Sequence, residues 1–450
     1  ATQIHCHPAV GAPHGAPSPV PAVARESAIR REPTTARHVP YTRHVSAHVV
    51  TTEAGDYVQT FRLSGASFES ADDADLDNWH ERLNVTWRSI ASPNLALWVH
   101  VVRRRERTQA QPAIGNDFAS ALAASYEQRL AQQVLMVNEL YLSLVFRPVA
   151  GAAPGVLARL MKSNQRTRAE DVDADALDHC EKLAETLSAA LAQYEPERLG
   201  ILSTGGHTRS QLLEFLGLLV NGEQQPMPLP RAPLRNVLAT TRPLFGTEVI
   251  EYRMPAGTRV GAMLGIKEYP TPSVVGMFDA LLSAPFSFVL TQSFAFLSKA
   301  AGQGLLRRQS ARMANAGDFA VSQAEELVDA LDALTANEFV MGDHHFTLQV
   351  LADLAERTAR DEGSQRLKCL NDHVALARAL LADAGMTVAR EDLALEAAFW
   401  AQLPGNFSYR PRKAPITSRN FAAMASFHNF PIGRARGNHW GDALALLISS

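Results

Sequence analysis

The sequence predicts an α+β protein made of two mixed halves, in each of which helices pack on a sheet. Three observations support this class. Strand-like segments recur along the chain, amphipathic helical segments lie between them, and a proline-rich run separates two such series. With 450 residues, 46% of them hydrophobic and 20% charged, the chain is long enough to form about two to three domains with sizeable cores. The net charge of −3 does not favour a chain-wide nucleic-acid or membrane-surface binder.

Residues 1–40 are rich in Pro, Ala and His without periodicity, a composition typical of a disordered leader. Within it, His5-Cys6-His7 has metal-binding residue types but lacks a preorganised fourth ligand. The leader has no signal-peptide core, and no window holds about 18 consecutive apolar residues, so no membrane span is predicted. The three cysteines, Cys6, Cys180 and Cys369, are far apart and odd in number, which favours a reducing, cytosolic compartment.

The first half is predicted over 41–225 and begins with the alternating segment 56–65. A helix follows in which Trp79 and Trp87 share one face with apolar neighbours three and four residues apart, so both rings are expected to be buried. Strands at 94–105 and 136–149 enclose a helix at about 117–133. An acidic helix at 170–195, the short strand "LGILS" and a helix at about 209–220 complete this half. The order predicts helices on one face of a sheet.

The run "NGEQQPMPLPRAP" (221–233) carries four prolines and marks the predicted internal boundary. The second half is predicted over 226–426, with strands near 247–253, 258–266, 286–292 and 344–352. Helical material is predicted across 294–338 and at 361–384. The strand "MTVARE" and the short helix "LALEAAFWAQL" follow. The two halves are expected to have similar architectures, although no sequence repeat is recognisable.

The sequence lacks the common phosphate-binding motif. A phosphate-binding P-loop needs a glycine directly before its lysine, because backbone amides must wrap the phosphates. None of the six lysines follows a glycine, so no Walker A motif is present in this sequence. The segment "GDHHF" (342–346) is not expected to bind a metal, because His344 and His345 of a strand point to opposite faces. No other constellation of residues indicates autonomous catalysis.

Two basic clusters are the candidate contact sites. Arg103, Arg104 and Arg105 end a predicted strand, and Arg412 and Lys413 lie in a proline-containing loop. Either cluster would suit nucleic-acid phosphates or an acidic partner surface. Solvated side chains at the ends of strands and loops are the alternative interpretation, and the sequence leaves both open.

Residues 427–450 are predicted to connect the second half to a further domain. Gly437, Asn438, Trp440 and Gly441 would form a junction turn that leads into a strand at 443–449. This strand is apolar without alternation, which is typical of a strand covered on both faces. Its cover would come from the further domain.

Three stretches point to one family. They are "LNVTWRSIASPNLALWVHVVRRR" (83–105), "DFAVSQAEELVDALDALTANEFVMGDHHFTLQVL" (318–351) and "AFWAQLPGNFSYRPRKAPITSRNFAAMASFHNFPIGRARGNHWG" (398–441). In this order they resemble the N-terminal domain, the middle region and the pre-motor segment of the CagE/TrbE/VirB-type ATPases of type IV secretion and conjugation systems. The resemblance covers roughly residues 40–450.

The resemblance implies a cytoplasmic protein peripheral to the bacterial inner membrane. Its partners would be inner-membrane subunits of the secretion channel and other secretion ATPases. Family members continue into a RecA-like motor domain that forms a hexamer and uses ATP and Mg to energise pilus assembly and the transfer of DNA or protein. This chain is expected to be the pre-motor scaffold and docking region, with the motor domain absent, no bound cofactor and no ATP hydrolysis of its own. Two alternatives stay open: a nucleic-acid module that contacts transferred DNA, and a stand-alone small-molecule enzyme.

Overall fold

The computed structural model describes residues 34–106, 117–131, 135–148, 166–254, 257–316, 321–352 and 362–431. Several predictions lie outside these residues. They are the leader up to residue 33 with its His5-Cys6-His7 run, the junction turn of Gly437, Asn438, Trp440 and Gly441, and the strand at 443–449.

The described residues form fifteen strands and ten α-helices. The strands are β1 (Tyr41–His44), β2 (Val50–Thr52), β3 (Tyr57–Leu63), β4 (Leu95–Glu106), β5 (Leu135–Phe146), β6 (Glu197–Arg198), β7 (Ile201–Thr204), β8 (His207–Ser210), β9 (Pro243–Phe245), β10 (Ile250–Met254), β11 (Gly257–Glu268), β12 (Phe288–Phe296), β13 (Met341–Ala352), β14 (Thr387–Arg390) and β15 (Ala414–Thr417). The helices are α1 (Asp73–Ile90), α2 (Asp117–Ala131), α3 (Arg166–Ala190), α4 (Gln211–Asn221), α5 (Leu234–Val237), α6 (Lys299–Ala316), α7 (Val321–Thr335), α8 (Glu362–Asp383), α9 (Leu395–Trp400) and α10 (Ser418–Met424).

One 13-stranded sheet runs through both predicted halves. Its order is β1-β2-β3-β5-β4-β12-β13-β11-β10-β9, with β6 beside β3, β14 beside β11 and β15 beside β13. Every pairing in it is antiparallel. The remaining strands, β7 and β8, form a separate hairpin. The structure therefore agrees with the mixed α+β class and adds that the two halves share their sheet.

The strand order is a palindrome about the seam between β4 and β12. From this seam outward, β4 is followed by β5 and β3, and β12 is followed by β13 and β11. The outer strand of each half also receives a short strand that follows a helix, β6 on β3 and β14 on β11. The seam itself extends from the pair Arg103↔Phe288 to the pair Ala96↔Ala295. The two halves thus repeat the same strand order on either side of an antiparallel seam.

Helices cover both faces of the sheet, so the prediction of helices on one face is wrong. On one face, here called the α1 face, residues of α1, α3, α8 and α10 pack against the strands. On the opposite face, the α4 face, α4 and α9 pack against them. The reason lies in α4, whose residues from Leu212 to Asn221 are all buried. A helix that is apolar around most of its circumference needs cover on several sides, and the second face of the sheet supplies it.

Helix α1 carries the two tryptophans that the sequence placed in the core. It begins after Asp72, whose carboxylate accepts a hydrogen bond from the Asp75 N–H at 2.9 Å. Trp87 is 0% exposed, as predicted. Trp79 packs against the same core but is only half-buried, so the prediction that both rings are buried is confirmed for Trp87 and wrong for Trp79. It lies near the start of α1, where its ring meets the edge of the His428 ring at 6.1 Å at the margin of the core.

Candidate functional site

The three arginines at the end of β4 lie in three different environments. Arg103 is 8% exposed, and its Nε donates to the Ala284 carbonyl at 2.6 Å. Its Nη1 donates to Asn138 Oδ1 at 2.8 Å and to the Leu282 carbonyl at 2.5 Å. Burial lowers the pKa of Arg103 to about 10. Arg103 is therefore committed to the interior and is not part of the exposed surface, which corrects its assignment as a contact residue.

Arg104 points to the opposite face and is half-buried. Its Nη2 lies 3.0 Å from Glu139 Oε1, and its Nη1 also bonds to Glu106. Burial acts to lower the pKa of Arg104, but the hydrogen bonds and charges of the two carboxylates outweigh it, and the pKa is raised. Arg105 is exposed. Of this cluster, Arg105 has the guanidinium that is most open to a partner.

Residues 395–431, which we call the clamp segment, cross the sheet from one face to the other. The segment begins with α9 on the α4 face and turns through the 3₁₀ turn Phe407–Tyr409. It then pairs β15 with the start of β13 and places α10 against α1 on the α1 face. It contains Arg412 and Lys413, and it coincides with most of the third family-like stretch.

On the α4 face, the main chain of the clamp segment accepts hydrogen bonds from buried side chains of the first half. Trp98 Nε1 donates to the Ala401 carbonyl at 3.1 Å. His100 Nε2 lies 2.8 Å from the Gln402 carbonyl, and Tyr41 OH donates to the Pro404 carbonyl at 2.9 Å. Burial lowers the pKa of His100 to about 4, so the ring is neutral at pH 7 and its proton is on Nε2. These bonds fix the position of the clamp segment through its backbone.

On the α1 face, α10 bonds to both halves. Ser418 Oγ donates to Asn84 Oδ1 of α1 at 2.7 Å. Gln292 Nε2 of β12 donates to the Met424 carbonyl at 2.7 Å. The ring of Phe421 stacks on Phe294 with centroids 4.6 Å apart. These buried contacts connect α10 to α1 of the first half and to β12 of the second half. They lie on the face opposite to α9.

The end of the clamp segment is anchored on the loop after β3. Asn429 N–H donates to the Ala66 carbonyl at 2.9 Å, and Asn429 Nδ2 donates to the Ser64 carbonyl at 3.0 Å. Gly65 has φ +85°, and a Cβ there would lie 2.6 Å from Asn429 Cβ. Glycine therefore allows both the backbone conformation and the close approach.

His428 makes a side-chain pair that the sequence did not suggest. Its Nδ1 lies 2.8 Å from Asp279 Oδ2, and its ring stacks on Phe68 with centroids 5.3 Å apart. The two partners are far apart in sequence, so no local pattern links them. The signal that did cover His428 was the family resemblance of 398–441.

Arg412 and Lys413 are both exposed and both ion-paired. Arg412 bonds to Glu391, whose carboxylate is 1% exposed. Burial raises the pKa of Glu391 in spite of the opposing charge of Arg412. Lys413 Nζ lies 3.0 Å from Asp343 Oδ2. Nearby, Arg410 lies over the ring of Phe407 at 5.1 Å, and burial lowers its pKa to about 10.

The structure does not bring the two predicted basic clusters together. Lys413 bonds to Asp343, which lies opposite Ala295, and Ala295 lies opposite Ala96 of β4. Arg105 follows nine residues further along β4, about 30 Å away at roughly 3.3 Å per residue. The clusters are therefore two separate sites, near opposite ends of the central strands. Their role in partner contact stays a prediction.

His344 and His345 point to opposite faces of β13, as predicted. His344 Nδ1 lies 2.9 Å from Tyr269 OH, and its Nε2 lies 3.2 Å from Gln292 Oε1. Burial lowers the pKa of His344 to about 3 and that of His345 far below its usual value. Among the described residues, no group of three or more His, Cys, Asp or Glu side chains is arranged to hold a metal ion. Within the same residues, none of the helices has the length and apolar character needed to cross a membrane.

Two parts of the chain match known protein families. Residues 197–412 match the CagE, TrbE, VirB family, described as a component of a type IV transporter system. Residues 48–153 match the N-terminal domain of the type IV secretion system ATPase VirB4/TrbE.

Individual relatives align along nearly all of the chain. The type IV secretion system protein virB4 of Bartonella quintana is 40% identical over 424 residues, which cover 94% of this chain and 52% of that protein. The protein virB4 of Agrobacterium tumefaciens is 37% identical over 410 residues, covering 91% of this chain and 50% of that protein. The type IV secretion system protein PtlC of Bordetella pertussis is 36% identical over 422 residues, covering 93% and 50%. The chain thus spans about half the length of the curated relatives it matches.

Proposed function

The chain belongs to the CagE, TrbE, VirB family of type IV transporter components, and from this premise we propose that it is the partner-docking scaffold of a type IV secretion ATPase. In this proposal the chain lies on the cytoplasmic side of the bacterial inner membrane. There it holds inner-membrane subunits of the secretion channel and contacts other secretion ATPases. It arranges a hexameric motor, which binds ATP and Mg and energises pilus assembly and the transfer of DNA or protein. The nucleotide site belongs to the motor and not to these residues.

The clamp segment is the observation that carries this proposal. Its buried hydrogen bonds reach Trp98 and Asn84 in the first half and Gln292 in the second half. A continuous sheet that is braced on both faces by one segment is a stiff body, because close-packed interiors transmit strain instead of absorbing it. A scaffold that positions a motor against membrane subunits needs this stiffness.

The two separated basic sites support contact with two different acidic surfaces. Arg104 and Arg105 would serve one site, and Arg412 and Lys413 the other. Since the sites are about 30 Å apart along the strand direction, one compact partner segment would not cover both. The ion pair of Lys413 with Asp343 would exchange for a partner carboxylate at little net cost, because pairs at the surface contribute about 0–1 kcal/mol.

Co-purification tests the proposal. The tagged 450-residue chain would be expressed in cells that carry the inner-membrane subunits of the system and then recovered from detergent extracts. We expect these subunits to co-purify, and we expect Arg105→Glu and Lys413→Glu to reduce recovery of different subunits. Arg312→Glu, on the exposed surface of α6, is the matched control and should leave recovery unchanged. Recovery of no membrane subunit by the unaltered chain would contradict the docking role.

Binding of transferred DNA is the second candidate, because Arg105 is an exposed guanidinium at a strand end. With Arg103 buried and Arg104 ion-paired, this site offers about one or two phosphate contacts. The logarithm of the DNA affinity should then fall with the logarithm of the salt concentration with a slope of only about −1 to −2. A slope of this size that Arg105→Ala reduces by about one would favour this candidate over the scaffold.

A further inference from the structure

A row of polar side chains crosses the α4 face between the sheet and the clamp segment. His100 of β4 lies opposite Thr291 of β12, and Thr291 lies opposite Thr347 of β13. Thr347 in turn lies opposite Gly265 of β11. Because neighbouring strands are about 4.8 Å apart, this row extends over roughly 14 Å.

The atoms along this row are buried without hydrogen-bond partners among the described residues. They are His100 Nδ1, Thr291 Oγ1, Thr347 Oγ1, Gln402 Oε1, Glu391 Oε2 and both ring nitrogens of His345. Each of these six residues is at most 1% exposed. His345 belongs to the set because it is two residues from Thr347 on the same face of β13.

Glycine at position 265 lets Glu391 complete the row. A Cβ on Gly265 would clash with Glu391 Oε1, so the carboxylate lies directly against the backbone of β11. Glu391 also bonds to Arg412, whose side chain is 41% exposed. The row therefore begins at His100, where the Phe215 ring covers the His100 ring with centroids 5.2 Å apart. It ends at Arg412, whose side chain reaches solvent.

Seven unbonded polar atoms in one row would cost a domain much of its stability, since more than about 90% of buried polar groups in native proteins are bonded. The chemistry of the atoms defines what would bond them. His100 Nδ1 is an acceptor because Nε2 carries the proton, and the oxygens of Gln402 and Glu391 are acceptors as well. The two threonine hydroxyls both donate and accept. Arg410 and Arg412 at the margin disfavour a metal cation.

We propose that this row is a binding site for a file of internal water molecules, which bridge β4, β12 and β13 to the clamp segment. Buried waters make about three hydrogen bonds each, so about two to three molecules would bond the seven atoms.

Removing the hydroxyls one at a time tests the site by the sign of the effect. Thr→Val is nearly isosteric. If water bonds the hydroxyls, Thr291→Val and Thr347→Val should each raise the ratio of unfolded to folded protein by about fivefold or more. Because one water would bridge both positions, the double variant should raise the ratio by less than the product of the single effects. If the hydroxyls are unbonded, their removal relieves a penalty, and the ratio falls. A fall or no change in both single variants would overturn the proposal.

Two controls keep the test decisive. Thr60 lies on the same face, and its hydroxyl bonds directly to Ser143 Oγ at 2.8 Å, so Thr60→Val should raise the ratio in either case. Thr347→Ser keeps the hydroxyl and should retain the coupling to Thr291. A high-resolution crystal structure of the 450-residue chain supplies the second measurement. Density peaks within about 3.2 Å of the Thr291 and Thr347 hydroxyls support the water file. A direct bond between these hydroxyls would overturn it.

Discussion

The two halves of the sheet share a strand order but differ in how they satisfy their buried polar groups. Strands β4 and β5 bury four polar side chains: His100, Arg103, Asn138 and Ser143. Strands β12 and β13 bury seven: Thr291, Gln292, Ser293, His344, His345, Thr347 and Gln349. In the first half, direct bonds join Arg103 to Asn138 and Ser143 to Thr60. In the second half, Thr291, Thr347 and His345 have no partner among the described residues.

This difference indicates that the two halves repeat a strand order and a pattern of apolar packing, but not the same polar side chains. Antiparallel pairing and apolar cover are enough to reproduce the strand order on both sides of the seam. The polar groups instead concentrate where the clamp segment crosses the sheet. Within β4 and β5, Arg103, Asn138 and Ser143 have direct side-chain partners and His100 bonds to the clamp segment through Nε2. Within β12 and β13, three of the seven buried polar side chains have no direct partner among the described residues.

The connection from the outer strand to the seam strand also differs between the halves. In the first half, the 18-residue helix α1 joins β3 to β4. At the equivalent place in the second half, the 3₁₀ turn Asp279–Ser283 lies between β11 and β12. The clamp segment then contributes α10, which packs against α1 near the seam. The connection that covers the sheet can therefore differ in length between the halves while the strand order stays the same.

The largest expected effect is at Trp87, the point at which the first half depends on the clamp segment. Its ring lies 5.9 Å from that of Phe421 and 6.1 Å from that of Phe427. Trp87→Ala should lower the free energy of unfolding by about 3–5 kcal/mol, because a large buried ring leaves a cavity. Trp79→Ala, the matched variant on the same helix, should cost only about 1 kcal/mol. Denaturant titration measures both, and equal losses would show that burial does not distinguish the two rings.

A smaller effect is expected at the hydrogen bond between Ser418 and Asn84, which joins α10 to α1. Ser418 Oγ also accepts from the Val340 N–H at 3.1 Å, so the hydroxyl links both halves. Ser418→Ala should cost about 1–3 kcal/mol, because two buried polar groups lose their partner. The double variant with Asn84→Ala should cost less than the sum of the single variants. Strict additivity in the same titration would mean that the clamp segment does not couple the halves here.

The sequence predicted the long elements of this fold because each carries its own periodicity. Helix α1, strands β4, β5 and β13, and helix α8 were all expected within a few residues of their observed ends. Strand β12 continues to Phe296, past its predicted end at 292, because pairing on both sides extends it. The shortest strands, such as β1, β9 and β15, were not predicted, since three or four residues hold too little pattern. Their partners, and not their own sequence, determine them.

The candidate sites were predictable only in part, for a related reason. That Arg105 and Lys413 are exposed follows from their positions at the end of a strand and in a loop. The burial of Arg103 depends on carbonyl groups of Leu282 and Ala284, which lie in the other half of the chain. The row of unbonded polar atoms depends on which strands become neighbours. Which strands become neighbours cannot be predicted from a single sequence, because side-chain periodicity indicates the face that a residue occupies and not the strand that pairs with it.

The last prediction concerns acid, to which the second half should respond more strongly because His344 and His345 are both buried there. Burial, with smaller contributions from the charges of Arg410 and His344, holds the pKa of His345 well below the usual value of 6.5. The folded state therefore keeps this ring neutral, whereas the unfolded chain protonates it below about pH 6.5. The unfolded state then binds more protons, so stability falls as the pH falls, by about 1.4 kcal/mol per pH unit for each such ring. His345→Asn should make the dependence of the unfolding free energy on pH shallower by this amount between about pH 6.5 and 5. His207→Asn, at the exposed first position of β8, is the matched control and should leave the slope unchanged. If His345→Asn leaves the slope as steep as in the unaltered chain, then His345 is already protonated or open to solvent in the folded state. The contrast between directly bonded polar groups on β4 and β5 and unpartnered ones on β12 and β13 would then have to be abandoned at this residue.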